Sequence, residues 1–175
     1  INIHRVQEES DATAYITRLE GVKPLFDQVI LQLKKRQELG VFPPKWSYDQ
    51  MIQASKNVIT GHPFNETGQD STIWADFIAK LETLNLSAKR QAELTQQANK
   101  ALLESVQPAY QAMIAELQLQ GSITPAGDGV WRLPDGDKWY QNRLNWFTTT
   151  ELTAEKVHQI GLDHVKRIHQ AMADI

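Results

Sequence analysis

The stretch from Ser87 to about Gln120 reads SAKRQAELTQQANKALLESVQPAYQAMIAELQLQ and decides the fold. Its apolar side chains recur every three or four residues, which places them along one side of an α-helix. Ser87 has the hydroxyl that a helix N-cap requires. The pattern predicts one long helix whose apolar stripe packs on a core at Leu94, Ala98, Leu102, Val106, Tyr110, Met113 and Leu117.

Pro108 lies about twenty residues into this helix. Proline removes one backbone hydrogen bond and its ring clashes with the carbonyl four residues back. The apolar pattern resumes directly after it, so we expect a kink between Glu104 and Pro108 rather than an end to the helix.

Shorter helical segments flank the long helix on both sides. Before the long helix we predict helices at 10–19, from about Pro24 to Leu39, at 48–59, and from Ser71 or Thr72 to before Asn85; after it we predict helices at 137–147 and 154–173. The predicted N-terminal caps are Ser47 for 48–59, Ser71 or Thr72 for the helix that they begin, and Thr153 for 154–173. Gly40 is the predicted C-terminal cap of the helix that ends at Leu39. An extended piece is expected at 130–133, followed by a turn at 134–136.

The predicted fold class is therefore mainly α. We expect an irregular antiparallel array of helices with one long Pro-kinked helix and at most a short β-hairpin near residue 130. Residues 1–175 would form a single helical domain or a helical fragment of a larger protein.

Composition excludes several classes of protein. The 175 residues are 41% hydrophobic and 22% charged with a formal net charge of −3, which is typical of a globular protein and disfavours nucleic-acid binding. The chain has no cysteine, so disulfides, Cys-ligated zinc and thiol nucleophiles are excluded. No apolar run reaches the roughly 18 residues that span a bilayer. The sequence does not indicate in which cellular compartment the protein lies.

The five histidines are the obvious candidates for metal ligands, and three of them lie in the last predicted helix. Two zinc ligands on one helix are typically spaced i and i+4, as in the motif H-E-x-x-H, and no histidine pair has this spacing. His158 and His169 share a flank but lie roughly 16 Å apart, and His164 points towards the apolar face. This helix alone therefore cannot form a zinc site, and we interpret its histidines as hydrogen-bonded, exposed or lining a cleft.

Aromatic residues concentrate just before that helix, at Trp131, Trp139, Tyr140, Trp146 and Phe147. They could form a platform for a sugar or peptide, but we favour burial against the helical body. The phenol of Tyr140 is the exception, because in a cleft it can donate a hydrogen bond to a substrate carbonyl.

The hydroxyls of residues 148–150 precede the final helix. Such residues most often cap backbone amides, and they can also bind an anion.

Three segments carry a resemblance to a known family. They are GVFPPK from Gly40, PAYQAM from Pro108 and LPDGDKWYQNRLNWFTTTELTAEKVHQIGLDHVKRI from Leu133. With these segments the chain resembles, over nearly its whole length, a bacterial domain-of-unknown-function family numbered 885.

The resemblance implies long, mostly helical proteins that look like zincin-type metallopeptidases and are often exported or lipid-anchored. It also implies an H-E-x-x-H zinc helix downstream of the region matched here, so zinc is expected only in the full-length parent and no cofactor in this chain. No catalytic or metal-binding residue can be assigned to this sequence.

Two functional hypotheses follow. In the first, the chain is the helical scaffold of a zinc-dependent peptidase-like protein, inactive alone, with Tyr140, Thr148 and His158 facing the substrate. Its partners would be the remaining segments of the parent and a peptide substrate. In the second, the chain is a noncatalytic helical module that binds a protein or peptide in an apolar groove.

Overall fold

A computed structural model describes residues 3–66 and 68–175 of the chain. Their contacts group the chain into two compact units, residues 1–126 and 127–175. Among the described residues of the first unit are six α-helices: α1 (Glu9–Glu20), α2 (Val22–Glu38), α3 (Ser47–Val58), α4 (Thr72–Glu82), α5 (Ala88–Ala101) and α6 (Gln107–Ile123). The second unit holds α7 (Gly136–Thr148) and α8 (Ala154–Ala173). The described part of the chain contains no β-strand, so the prediction of a mainly α fold is confirmed.

The long helix is also confirmed, and it is interrupted where the kink was expected. A π-helical turn, Leu102–Val106, joins α5 to α6, so helical backbone continues from Ala88 to Ile123. The π turn comes directly before Pro108, where one backbone bond must be lost. Five of the seven predicted stripe residues are buried, while Tyr110 and Met113 are half-buried.

The core of the first unit forms around this long helix. The side chains of α1 and α4 pack on those of α5 and the π turn. Its largest members are nearly inaccessible to solvent; they include Tyr15, Leu19, Phe77, Leu81, Leu94 and Leu102.

One prediction about packing is wrong. Leu25, Phe26 and Val29 recur along one side of α2, a pattern that predicts a buried stripe, but no residue of α2 is fully buried. Phe26 packs its ring on Tyr110 of α6 at 4.8 Å between centroids, but Leu25 and Val29 are exposed. The reason is that α2 packs mainly on α6 and the π turn, so only one side of its wide stripe is covered.

The junction between α1 and α2 is held by a hydroxyl from the π turn. Ser105 Oγ donates to the Glu20 carbonyl at 2.8 Å and accepts from the Lys23 amide at 3.2 Å. The Glu20 carbonyl would bond the amide of residue 24 in a continuous helix, but Pro24 has no N–H. The Lys23 amide lies in the first turn of α2, where amides lack an intrahelical partner. The single buried side chain of Ser105 thus bonds one carbonyl at the end of α1 and one amide at the start of α2.

A second polar cluster joins α3 to α6. The Thr124 hydroxyl donates to the Gln120 carbonyl and lies 3.1 Å from the Tyr48 hydroxyl. Gln120 donates to the buried carboxylate of Glu116 at 2.8 Å, and Lys34 Nζ of α2 approaches that carboxylate to 3.8 Å. The cluster therefore connects α6 to α2 through the Glu116 carboxylate and to α3 through the two hydroxyls.

Most predicted helix caps are confirmed. Ser71, Ser87 and Thr153 each accept a backbone amide at the start of their helix. Gly40 follows α2 with φ 72°, and the Val41 amide donates to the Arg36 carbonyl at 2.8 Å, as in a Schellman motif. Ser47 is the exception, because α3 begins at Ser47 itself and its hydroxyl donates to the Pro44 carbonyl.

The extended piece predicted at 130–133 is wrong. Val130–Arg132 forms a 3-10 turn, and no hairpin forms near residue 130. The turn closes tightly on the start of α7, since a Cβ on Gly136 would lie 2.0 Å from the Val130 carbonyl oxygen. Two extended strands would not allow this approach of the two backbones.

Candidate functional site

An open cleft of about 640 Å³ lies in the first unit, between α4, α5 and the loop that precedes α4. Its described lining is neutral when His62 is unprotonated. The apolar part comprises Trp74, Ile78, Ala88 and Ala92, and the polar part comprises His62, Gln91, Thr95, Gln96 and Asn99. An apolar floor with amide and hydroxyl groups at its edge suits an uncharged polar ligand such as an extended peptide.

The loop at 61–71 is folded tightly enough to fix His62 at this cleft. The His62 amide donates to the Gln69 carbonyl at 2.7 Å, and the Ser71 amide donates to the His62 carbonyl at 2.9 Å. Gly61 has φ 95°, and a Cβ there would lie 2.6 Å from the Ser71 nitrogen. Only glycine fits this position.

The same loop is anchored to the core. Phe64 is buried, and its carbonyl accepts a hydrogen bond from Gln107 of α6 at 3.3 Å. The His62 imidazole then meets the edge of the Trp74 ring at 5.1 Å between centroids. Because Ser71 caps α4 three residues before Trp74, loop and aromatic floor are positioned by the same residue.

A charged cluster lies on another side of the first unit. The buried Tyr15 of α1 donates to the Asp76 carboxylate of α4 at 2.9 Å, and Lys80 binds the same oxygen at 2.8 Å. Burial, and then the hydrogen bond to Asp76, raises the pKa of the Tyr15 phenol well above its usual value. The bond from Tyr15 to Asp76 therefore stabilises the packing of α1 on α4.

His4 extends this cluster towards the N-terminal segment. Its ring meets Tyr15 edge-on at 5.2 Å, and its Nε2 lies 3.0 Å from the Asp11 carbonyl. The Arg18 guanidinium contacts its Nδ1. This pattern assigns the proton to Nε2, since a carbonyl must accept and a guanidinium must donate.

The three predicted substrate-facing residues all lie in the second unit, and they have different surroundings. Tyr140 is about half exposed and lines a groove with Gln141 and Asn145 of α7 and Ala154 of α8. Thr148 donates to the Leu144 carbonyl at 2.8 Å, so its hydroxyl bonds its own helix. His158 is exposed on α8. Of the three, only Tyr140 lines that groove.

The expected burial of the aromatic group is wrong. Trp131, Trp146 and Phe147 are 81%, 72% and 78% exposed, and Trp139 and Tyr140 are also exposed. The amide of Gln141, in contrast, is held by the chain that leads into α8, because it donates to the Leu152 carbonyl at 2.9 Å.

Zinc would need three or more side chains from His, Asp or Glu at one point. Within residues 3–66 and 68–175 no such group comes together.

The cleft at His62 and Trp74 was not predicted from the sequence. Trp74 was assigned only to a buried stripe, and His62 was considered only as a metal ligand. The one local signal is the dense set of Gly, Pro, Asn and Asp residues at 60–71, which predicts a loop but not the helix that it faces.

None of the helices in the described part of the chain is long and apolar enough to cross a membrane.

A family model described as "Bacterial protein of unknown function (DUF885)" matches residues 1–175, the whole chain. The chain belongs to the DUF885 family. No curated protein matches it significantly.

One solved structure is similar to this DUF885 chain, a protein described as "the putative lipoprotein from Colwellia psychrerythraea". It superposes with a TM-score of 0.78 at 25% sequence identity, over 97% of this chain. The DUF885 chain spans 28% of the length of that protein.

Proposed function

We propose that this chain is a helical scaffold within a longer DUF885-family protein, and that the longer protein is a zinc-dependent peptidase. In this proposal the chain forms one wall of the substrate cleft and contributes no catalytic residue or metal ligand.

The exposed apolar surface of residues 127–175 carries the scaffold proposal. Gly136 alone is buried among these 49 residues, all of which the structure describes. Monomeric soluble proteins rarely leave large aromatic and aliphatic patches open, and such patches mark surfaces that bind other protein. The length of the Colwellia psychrerythraea protein gives a source for the missing partner, because about three quarters of that chain lies outside the match.

The peptidase part of the proposal is supported by membership of the DUF885 family, whose members look like zincin-type metallopeptidases. A zinc ion held by the parent would activate water for attack on a peptide bond. The residues of this chain would bind and orient the peptide. Tyr140 would donate to a substrate carbonyl from its groove, Thr148 would fix the end of α7, and His158 would line the wall.

Cleavage of a peptide library by the longer natural protein, with and without a zinc chelator, tests this function. We expect cleavage that the chelator removes and that added zinc restores. Absence of chelator-sensitive cleavage would refute the peptidase proposal.

The role of the wall is tested in the same protein by Tyr140→Phe and His158→Ala. We expect a KM raised by roughly three- to tenfold with little change in kcat, because lost binding contacts raise KM alone. Thr148→Val tests the third predicted residue, whose hydroxyl donates to the Leu144 carbonyl; an unchanged KM would exclude Thr148 from substrate binding. A fall in kcat of roughly a hundredfold for Tyr140→Phe would instead assign a catalytic role.

The cleft at His62 and Trp74 favours a second function, a noncatalytic module that binds peptide. Peptides carrying a fluorescent label should bind the 175-residue chain itself, and Ala92→Trp should block binding by filling the cleft. Gln97→Trp adds the same ring elsewhere on α5 and should leave binding intact. Equal binding by the two variants would exclude the cleft as the site.

A further inference from the structure

Helix α8 presents an apolar face, most of which is exposed. Its members follow spacings of four, four, three and four residues: Val157, Gly161, Val165, Ile168 and Met172. At 1.5 Å per residue the face extends about 22 Å along the helix. Val165, Ile168 and Met172 are 50%, 46% and 67% exposed.

The opposite side of α8 is polar and exposed to solvent. Gln159 donates to Asp163 at 2.8 Å, and Gln170 donates to Asp174 at the same distance. Lys156, Lys166 and Arg167 also lie on that side by their positions in the helical repeat. Apolar and polar side chains thus lie on opposite sides of α8, as in a helix that packs along one side, with the exposed Ile160 and Leu162 at the two borders.

Gly161 lies in the middle of the apolar face and has no local reason to be glycine. Its φ is helical, and a Cβ placed there would have no atom within 4 Å. Glycine is less favourable than alanine inside a helix. The use of glycine there points to a backbone that approaches from outside, because the distance between two packed helices is set by the side chains at their contact.

We propose that a helix from the part of the polypeptide outside these 175 residues packs across α8 at Gly161. This inference rests on the scaffold role proposed above and names the contact that the scaffold makes. The occupant is apolar and helical. Its apolar side chains cover Val165, Ile168 and Met172, and a small residue meets Gly161.

The absence of cysteine makes a direct test possible, since every introduced thiol in this chain is unique. Ile168→Cys and Gln170→Cys are placed on the apolar and polar sides of α8, in the 175-residue chain and in the longer natural protein. Maleimide labelling of each site is followed by mass spectrometry of the peptide. In the longer protein we expect Ile168→Cys to react roughly tenfold or more slowly than in the chain alone, and Gln170→Cys to react at equal rates in both.

The crossing point is tested separately by Gly161→Leu. In the chain alone it should leave the helical content unchanged, because the space around Gly161 is open. In the longer protein it should raise the labelling rate of Ile168→Cys towards the rate of the uncovered chain. Gln159→Leu adds the same side chain to the polar side and should have no such effect.

The outcomes separate this inference from the proposed function. Protection of Ile168→Cys that Gly161→Leu does not change would overturn the crossing at Gly161 and leave the scaffold role standing. Equal labelling in both proteins would overturn the covering helix. If the protection of Ile168→Cys from maleimide increases with protein concentration, a second copy of the protein covers the face, and this result would also overturn the proposal. Chelator-sensitive cleavage, which tests the proposed function, is measured independently of these three labelling outcomes.

Discussion

Removal of the Ser105 hydroxyl tests how the kinked helix holds the first unit together. In Ser105→Ala, the Glu20 carbonyl and the Lys23 amide each lose a hydrogen bond. Neither group has a substitute in its own helix, because Pro24 lacks an N–H and the Lys23 amide lies in the first helical turn.

The magnitude follows from these two bonds. Each buried hydrogen bond contributes about 1 kcal/mol, and an N-cap contact contributes a similar amount, so the free energy of unfolding should fall by about 2 kcal/mol. For a chain of this size, that loss corresponds to a decrease in Tm of roughly 4–8 °C.

Urea unfolding followed by far-UV circular dichroism measures the effect. Ser122→Ala is the matched control, because Ser122 is exposed and its hydroxyl donates only to the Leu119 carbonyl of its own helix. The control should change stability by less than about 0.5 kcal/mol. If Ser105→Ala is no more destabilised than Ser122→Ala, the π turn does not hold the α1–α2 junction in the way described.

Three further predictions concern the same unit and metal binding. Leu102→Ala removes a fully buried side chain from the π turn and should cost about 2–5 kcal/mol by urea unfolding; a loss below about 1 kcal/mol would contradict its place in the core. The raised pKa of Tyr15 means that the folded protein keeps a proton that the unfolded chain releases above about pH 10. Stability should therefore be complete below that pH and fall as pH rises above it, and Asp76→Asn should lower the pKa of Tyr15 in an absorbance titration; an unchanged titration would contradict the hydrogen bond. Zinc titrated calorimetrically into the 175-residue chain should show no tight stoichiometric site, and a one-to-one site would overturn the geometric argument from the described residues.

The local features of the fold were predicted where the sequence alone determines them. The stripe from Leu94 to Leu117 depends only on helical periodicity, and the interruption before Pro108 depends only on the missing amide. The caps at Ser71, Ser87 and Thr153 are equally local, since each hydroxyl bonds an amide three residues away.

Features that depend on which helices meet were predicted poorly. Leu25 and Val29 fit a buried stripe, but only contact with α6 decides which side of α2 is covered. The rings of α7 fit a buried junction, but they are exposed, and it is Gln141 that bonds the Leu152 carbonyl. Ser105 had no sequence signal at all, because its partners lie more than eighty residues away.

The candidate site shows the same limit. The turn-forming residues at 60–71 predict a loop. The cleft could not be predicted from them, because it also requires residues of α5 to lie opposite that loop. Tyr140, Thr148 and His158 were chosen for their side-chain chemistry, and the structure gives each a different environment. Their part in substrate binding stays a prediction that the kinetic variants will decide.

The claim that this chain is a noncatalytic scaffold is tested most directly by one comparison. A peptide that the longer natural protein cleaves is incubated with the 175-residue chain alone, at equal concentration and with added zinc. We predict no cleavage by the chain and chelator-sensitive cleavage by the longer protein. Chelator-sensitive turnover by the 175-residue chain itself would contradict this account.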